Sequence, residues 1–168
     1  MYALNNLDLL PGPVTFLSCD NVISETDFEK ARELLKRSDL VVWTAPEYPM
    51  ARYKPNRYSW VNIKEGTVTG FSLKNLPESF NNPSMIIGNF TFKSKEFAQK
   101  LILDCFRSAE RFNSEIYLDS VIQVALESGY EVSAIILDKF FAVGTEDEFN
   151  TYKYYSTFKM SRNFRFEV

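Results

Sequence analysis

The sequence predicts an α/β fold, a mostly parallel mixed sheet flanked by helices, in a single domain spanning residues 1–168. Three observations carry this reading. Residues 14–18 and 40–45 are short apolar runs suited to buried strands, and a helical stretch lies between them, which is the spacing of a parallel crossover. Residues 58–63 and 67–73 alternate polar and apolar around Lys64-Glu65-Gly66, a hairpin signal. Residues 84–92 and 131–137 add two further strand-like runs, with helical patterns between and after them.

Each element follows in order. Residues 1–13 close on Pro11-Gly12-Pro13 and read as a lead-in loop. The first strand, residues 14–18, runs into Cys19-Asp20-Asn21. An Asp just past the carboxyl end of a buried strand sits where open α/β sheets place ligand residues, and the same Asp-Asn pair also suits a simple turn. Ser24 with Asp27, or Thr26 with Glu29, has N-capping spacing, and Phe28, Ala31, Leu34 and Leu35 share one helical face that ends by Asp39. Residues 40–45 (Leu-Val-Val-Trp-Thr-Ala) form the second buried strand. Pro46, Pro49 and Pro55 punctuate a loop carrying Glu47, Arg52, Lys54 and Arg57, cations that suit either phosphate or water.

Lys74 ends the hairpin's second strand, and residues 75–83 are a polar loop. Gly88 interrupts the run 84–92, which marks a bulge, a close backbone approach or a packing glycine. Ser94 caps a helix whose Phe97, Leu101, Ile102, Cys105 and Ala109 form an apolar stripe. Asp119 lies near the start of a short helix with Ile122, Ala125 and Leu126 inward, and Gly129 stops it. Acidic side chains near a helix start are favoured by the helix dipole, so Glu115 and Asp119 also have a purely structural reading. After the strand at 131–137, residues 140–143 are a short extended run. Thr145 with Glu148 forms a second capping box, opening a helix to about Tyr155 with Phe149, Tyr152 and Ser156 inward. The tail from Lys159 carries alternating Phe164 and Phe166, fitting an edge strand or a docking arm.

Bulk composition narrows the function classes. The net charge is −3 with no basic block, which argues against nucleic-acid partners. No apolar run approaches the roughly 20 residues of a membrane span, and the first residues lack a signal-peptide pattern, so a cytoplasmic location is expected. Cys19 and Cys105 lie in apolar contexts and read as buried thiols rather than a disulfide. With no His in the chain, any metal would be a hard cation held by oxygen, such as Mg²⁺.

Five segments, in order, resemble the sugar-1-phosphate nucleotidyltransferase family, whose fold is a Rossmann-like sheet of the nucleotide-diphospho-sugar transferase type. Phe16-Leu17-Ser18-Cys19-Asp20 resembles the family's strand ending in Gly-Asp, with Cys19 in place of the Gly. Tyr58-Ser59-Trp60-Val61, followed by Leu73-Lys74-Asn75, resembles a Tyr-Gly-Val-Val strand and its Glu-Lys-Pro, keeping only the Lys of the latter. Gly88-Asn89-Phe90-Thr91-Phe92 is similar to the Gly-x-Tyr-x-Phe strand beside the sugar. Glu115-Ile116-Tyr117-Leu118-Asp119 resembles Glu-x-x-Leu-Thr-Asp. Ala142-Val143-Gly144-Thr145 with Glu146-Asp147-Glu148 resembles Asp-x-Gly-Thr-Pro-Glu-Asp.

The resemblance covers residues 14–155 and matches the later two-thirds of such a domain, truncated at the N-terminus. It implies joining of an NTP to a sugar or polyol phosphate in cell-surface polysaccharide synthesis. Asp20 would bind Mg²⁺, Lys74 would be the catalytic cation on the sugar phosphate, and Tyr58, Gly88, Asn89, Glu115 and Asp119 would line the substrate pocket. The family's second metal carboxylate falls on Ala142, and residues 1–13 do not carry its Gly-rich phosphate loop. The domain is therefore expected to be incomplete or inactive alone, with a non-catalytic binding or regulatory relative as the alternative. A sheet edge left by such a truncation would be covered. The expected partner is a second copy, in a homodimer, or the rest of a longer polypeptide.

Overall fold

The computed structural model describes residues 11–45, 48, 51, 53–108 and 112–161. Expectations for residues 1–10, Pro46, Glu47, Pro49, Arg52, Ala109, Phe164 and Phe166 lie outside the described residues. The strands are β1 (Val14–Phe16), β2 (Asn21–Val22), β3 (Leu40–Ala45), β4 (Trp60–Lys64), β5 (Thr67–Ser72), β6 (Pro83–Phe92), β7 (Val132–Ile136) and β8 (Phe141–Ala142). The helices are α1 (Glu25–Leu34), α2 (Lys95–Ser108), α3 (Val121–Glu127) and α4 (Glu146–Ser161).

Six strands form one sheet in the order β1-β6-β3-β7-β5-β4, and β4 also pairs with the first residues of β6. The sheet is mixed, as expected, but it is not mostly parallel: among the described strands only β3 and β7 pair in parallel. The crossover from β1 through α1 to β3 does return the chain in the same direction. However, β6 lies between the two strands and runs antiparallel to both. Hydrophobic runs report that a strand is buried, not which way its neighbour points.

β3 is the centre of the core because both of its faces are covered. Leu40 and Val42 point to one side, where they meet Phe90, Phe92 and the apolar stripes of α2 and α3 (Phe97, Leu101, Val121, Ile122). Val41 and Trp43 point to the other side, against Ile87, Ile135 and the α1 face carrying Ala31, Phe28, Leu34 and Leu35. Two polar side chains of β3 find partners within this core: Trp43 Nε1 donates to Thr91 Oγ1 at 2.9 Å, and Thr44 Oγ1 donates to the Ile135 carbonyl at 2.9 Å.

Local signals explain the boundaries. Of the two α1 caps, Ser24 with Asp27 forms: the Asp27 carboxylate accepts from the Ser24 amide at 3.2 Å and from its hydroxyl at 2.8 Å. Ser94 Oγ accepts from the Phe97 amide at 3.2 Å at the head of α2. In the β4–β5 turn both central residues have positive φ, Glu65 at 52° and Gly66 at 82°, the type I′ geometry that matches strand twist. Thr145 and Glu148 form the reciprocal box predicted for α4.

Three local expectations are corrected. Cys19 is exposed, because it sits at the outer corner of the loop after β1; Cys105 is buried. Phe149 is 50% exposed rather than inward, because α4 packs mainly on the short β8. α4 also continues through Ser161, past Tyr155, so the start of the tail is helix and not strand. Asp119 lies near the start of α3, as expected, in a 3₁₀ turn (Leu118–Ser120) that leads directly into it.

Candidate functional site

A cavity of about 370 Å³ opens at the end of the sheet where β1 gives way to β2, beside the middle of β6 and the start of β4. That volume is within the range of small-molecule sites. Among the sequence-predicted residues, Asp20, Tyr58, Lys74, Gly88 and Asp119 all line it, together with Ala142, Gly144 and Thr145.

The Asp20 corner is built from buried amides. Gly88 has φ of +78° at an irregularity where three β6 residues oppose Trp43, so the strand kinks there. A Cβ on Gly88 would lie 3.3 Å from Ser18 Cβ, so the loop after β1 approaches β6 closely only because this residue is glycine. The next residue, Asn89, is completely buried. Its Oδ1 accepts from the Ser18 amide at 2.7 Å, and its Nδ2 donates to Asn21 Oδ1 at 3.2 Å. Asn21 Nδ2 in turn donates to the Ile87 carbonyl at 3.0 Å.

Asn89 thus stands behind the loop, with its amide spent on holding the loop, and the cavity wall beside it is Gly88. This corrects the expectation that Asn89 lines the pocket. Ser18 Oγ donates a hydrogen bond to Asp20 Oδ1. On the outer side the Val143 amide donates to the Asp20 carbonyl at 2.8 Å, and β8 pairs with β2. A Cβ on Gly144 would come within 2.9 Å of Asp20 Cβ, so this strap seats against Asp20 only without a side chain.

The opposite wall carries the cations. Lys74 adopts φ of +50°, unusual for a side chain with a Cβ. Its Nζ donates to the Arg57 carbonyl at 3.0 Å and lies 4.9 Å from the Tyr117 ring centre. Arg57 lines the same wall, closing a short 3₁₀ turn that starts at Pro55. The Tyr117 hydroxyl donates to Glu115 Oε2 at 3.1 Å. Glu115 itself is exposed and, against expectation, does not line the cavity, because it precedes the turn that carries Tyr117 inward. Its hydrogen bond raises the Tyr117 phenol above its ordinary pKa, with burial adding to the shift.

Asp119 lies on the floor. Burial pushes its carboxyl above the ordinary carboxylate range, and the Ser59 hydroxyl and the Lys74 ammonium act against that rise. Glu148 closes the rim: its carboxylate accepts from the Tyr48 hydroxyl at 2.9 Å and from the Thr145 amide at 3.0 Å. Burial and this carboxylate together push Tyr48 upward. Tyr58 is raised the same way, by burial first and then by Glu148, and its ring sits edge-on to Tyr48.

Sequence reasoning misses Ser59, Tyr117 and Glu148 as cavity residues. In the sequence Ser59 stands only as a replacement for glycine, and Glu148 only as a cap. The cap spacing is the one signal that places Glu148 next to Gly144 and so at the rim.

The donor set does not fit a protein-held Mg²⁺. Asp20 is a single carboxylate, and Ala142, in the position of the second, lines the cavity without an oxygen-bearing side chain. Among the described residues no group of three or more Cys, Asp or Glu is placed to hold a metal ion. No helix among them is long and apolar enough to cross a membrane.

No family model matches the chain, and no curated protein matches it. Solved structures do. The nucleoside-diphosphate-sugar pyrophosphorylase from Vibrio cholerae RC9 superposes with a TM-score of 0.59 at 17% identity, over 89% of this chain and 59% of that one. The inositol-1-phosphate CTP transferase from T. maritima gives 0.65 at 13% identity, over 94% and 60%. CMP:2-keto-3-deoxy-manno-octonic acid synthetase, complexed with CTP, gives 0.64 at 10%, over 94% and 66%. The chain therefore shares their fold while spanning 59% to 66% of their length.

Proposed function

We propose that the cavity binds a sugar or polyol phosphate, in a nucleotidyltransferase-like domain that does not complete nucleotidyl transfer by itself. The observation that carries this reading is the convergence on one cavity of Lys74 and Arg57 with Asp20, Asp119, Ser18 and Thr145, from segments far apart in the chain. Two adjacent cations suit a phosphate. Carboxylates and hydroxyls around a small cavity suit the hydroxyls of a sugar ring or a cyclitol. Tyr58 and Phe140 supply apolar faces for its C–H groups. The names of the similar structures, which pair nucleotides with sugars or with inositol phosphate, support the same class.

Incomplete catalysis follows from charge. In-line attack of a phosphate on an NTP needs developing charge on the α-phosphoryl group to be stabilised by metal and by donors. Ala142 leaves Asp20 alone, so any Mg²⁺ there would be shared with ligand phosphate oxygens rather than held by the protein. Lys74 would hold the sugar phosphate, and Asp119 would set its orientation. In this reading the domain serves in the cytoplasm as a binding or regulatory element of cell-surface polysaccharide synthesis, in a homodimer or joined to further sequence.

Isothermal titration with glucose 1-phosphate, mannose 1-phosphate and inositol 1-phosphate tests the proposal, with and without Mg²⁺ and NTP. Binding of at least one without NTP, abolished in Lys74→Ala, is expected, along with no pyrophosphate release. Absence of binding to all three refutes the ligand class. Pyrophosphate release above background refutes the claim of incomplete catalysis.

A further inference from the structure

Unfavourable backbone in this fold gathers around one ammonium. Among the described residues, four that carry a Cβ adopt positive φ: Glu65, Lys74, Asn113 and Ser114. Glu65 belongs to the β4–β5 turn. Lys74 and the pair Asn113-Ser114 come from distant segments, yet both lead to the same side chain, Tyr117. Left-handed backbone is costly for such residues and persists where the surroundings hold it, most often at functional sites.

Residues 112–115 form a closed turn on the surface. The Phe112 amide donates to the Glu115 carbonyl at 3.0 Å, and the Glu115 amide donates back to the Phe112 carbonyl at 3.0 Å. Its central residues are Asn113 (φ 51°) and Ser114 (φ 66°), the pattern of a two-residue type I′ loop made without glycine. The turn sets Phe112 and Glu115 side by side, and both reach Tyr117. The Phe112 and Tyr117 rings meet edge-on with centres 6.2 Å apart, and Glu115 Oε2 accepts from the Tyr117 hydroxyl at 3.1 Å. Held in this way, the ring lies beneath Lys74 Nζ, which is 4.9 Å from its centre. An ammonium carries three N–H donors on a flexible stem. The Arg57 carbonyl takes one of them, the ring covers a second side, and Lys74 lines the cavity with what remains.

We propose that the 112–115 turn and Tyr117 form a clip that holds the Lys74 ammonium in place for the phosphate group of the ligand. Tyr117 is a positioning residue that acts through Lys74. Glu115 acts one step further back, as the tether of Tyr117 rather than as a ligand contact. The gain is pre-organisation: a lysine stem fixed before the ligand arrives loses less conformational freedom on binding. An aromatic face suits this task because it attracts the cation without neutralising it. A carboxylate in the same place would compete with the phosphate for the same charge. This inference rests on the phosphate-binding reading of the cavity.

The test has two arms. In the first, NMR of the unliganded chain carrying ¹³C-labelled lysine follows the Lys74 ε-methylene signal, assigned by its loss in Lys74→Arg. The Tyr117 ring current should displace this signal in wild type and in Tyr117→Phe, and the displacement should vanish in Tyr117→Leu. A wild-type signal that Tyr117→Leu leaves unmoved overturns the clip, whatever binds the cavity. In the second arm, glucose 1-phosphate, mannose 1-phosphate, inositol 1-phosphate and inorganic phosphate are titrated calorimetrically. Tyr117→Leu should bind about 2- to 30-fold more weakly, the span of a cation–π contact, and Tyr117→Phe should recover most of the loss. At the exposed turn, Ser114→Val, whose branched side chain resists positive φ, should weaken binding, and Ser114→Gly should not. That pair carries the test even if Tyr117→Leu fails to fold. Wild-type affinity in both Tyr117→Leu and Ser114→Val refutes the positioning role and leaves the cavity reading standing. If none of the four probes binds wild type, the cavity reading falls and the phosphate role of the clip falls with it.

Discussion

Truncating Asn89 to Ala separates a structural clamp from a ligand contact. The amide is completely buried and holds the loop after β1 through Ser18 N at 2.7 Å and Asn21 Oδ1 at 3.2 Å. Alanine leaves the Ser18 amide without its acceptor, at about 1–3 kcal/mol, and removes a neutral hydrogen bond of about 0.5–1.5 kcal/mol. The sum is about 1.5–4.5 kcal/mol, which for a domain of this size lowers Tm by about 3–18 °C. Asn89→Asp is the informative companion. It retains an acceptor for Ser18 but sets a carboxylate oxygen against Asn21 Oδ1, so it should also destabilise. Urea unfolding and thermal melts measure both variants, and titration with a sugar phosphate measures binding. If Asn89→Ala weakens binding while its unfolding midpoint stays at the wild-type value, the clamp reasoning is wrong, and Asn89 belongs to the cavity wall.

Other substitutions probe the remaining corners. Gly144→Ala forces a Cβ to within 2.9 Å of Asp20 Cβ, so it should displace the 140–145 strap and weaken ligand binding more than it lowers Tm; unaltered binding would count against Asp20 as a cavity ligand. Lys74→Gly should relieve the left-handed backbone by about 0.5–1 kcal/mol in unfolding experiments while abolishing phosphate-dependent binding. An effect of the same sign on both would contradict the division. Asp119→Asn bears on pH. Because burial raises the folded carboxyl pKa, the folded state holds this proton more tightly than the unfolded state. Wild-type stability should therefore fall as pH climbs from the ordinary carboxylate value, 3.8, through the raised one. Melts across that window should show the Asp119→Asn variant gaining on wild type with rising pH, and equal slopes would refute the buried carboxylate.

Much of the fold is legible in the sequence because burial leaves a periodic record. The β4–β5 hairpin is visible as Glu65-Gly66 between alternating runs, and β3 as six consecutive buried residues. Strand direction is not legible, because β6 slips between β1 and β3, and that depends on contacts distant in the chain. At the site, Asp20, Tyr58, Lys74, Gly88 and Asp119 are anticipated by motif order, and the structure brings them to one cavity. Asn89 is anticipated as a contact but sits behind the wall, since adjacent residues in a strand point to opposite faces and the Gly88 kink shifts which face that is. Ser59 carries no signal as a cavity residue, because a serine just before a strand is ordinary in sequence.

The two-residue pairing of β2 with β8 has a dynamic consequence. Those strands share only the Asn21–Ala142 and Val22–Phe141 registers and are joined to no other sheet among the described residues. Breaking so few hydrogen bonds requires only a local opening, well short of the free energy needed to unfold β3. Amide hydrogen exchange at Val143, which donates to the Asp20 carbonyl, should be fast compared with Val42. The same opening releases the Asp20 carbonyl from the Val143 amide, so loosening of the strap and loosening of the Asp20 backbone are one event. A ligand spanning Asp20 and Thr145 would bridge both sides of that seam and slow its exchange, leaving the central strands as they were.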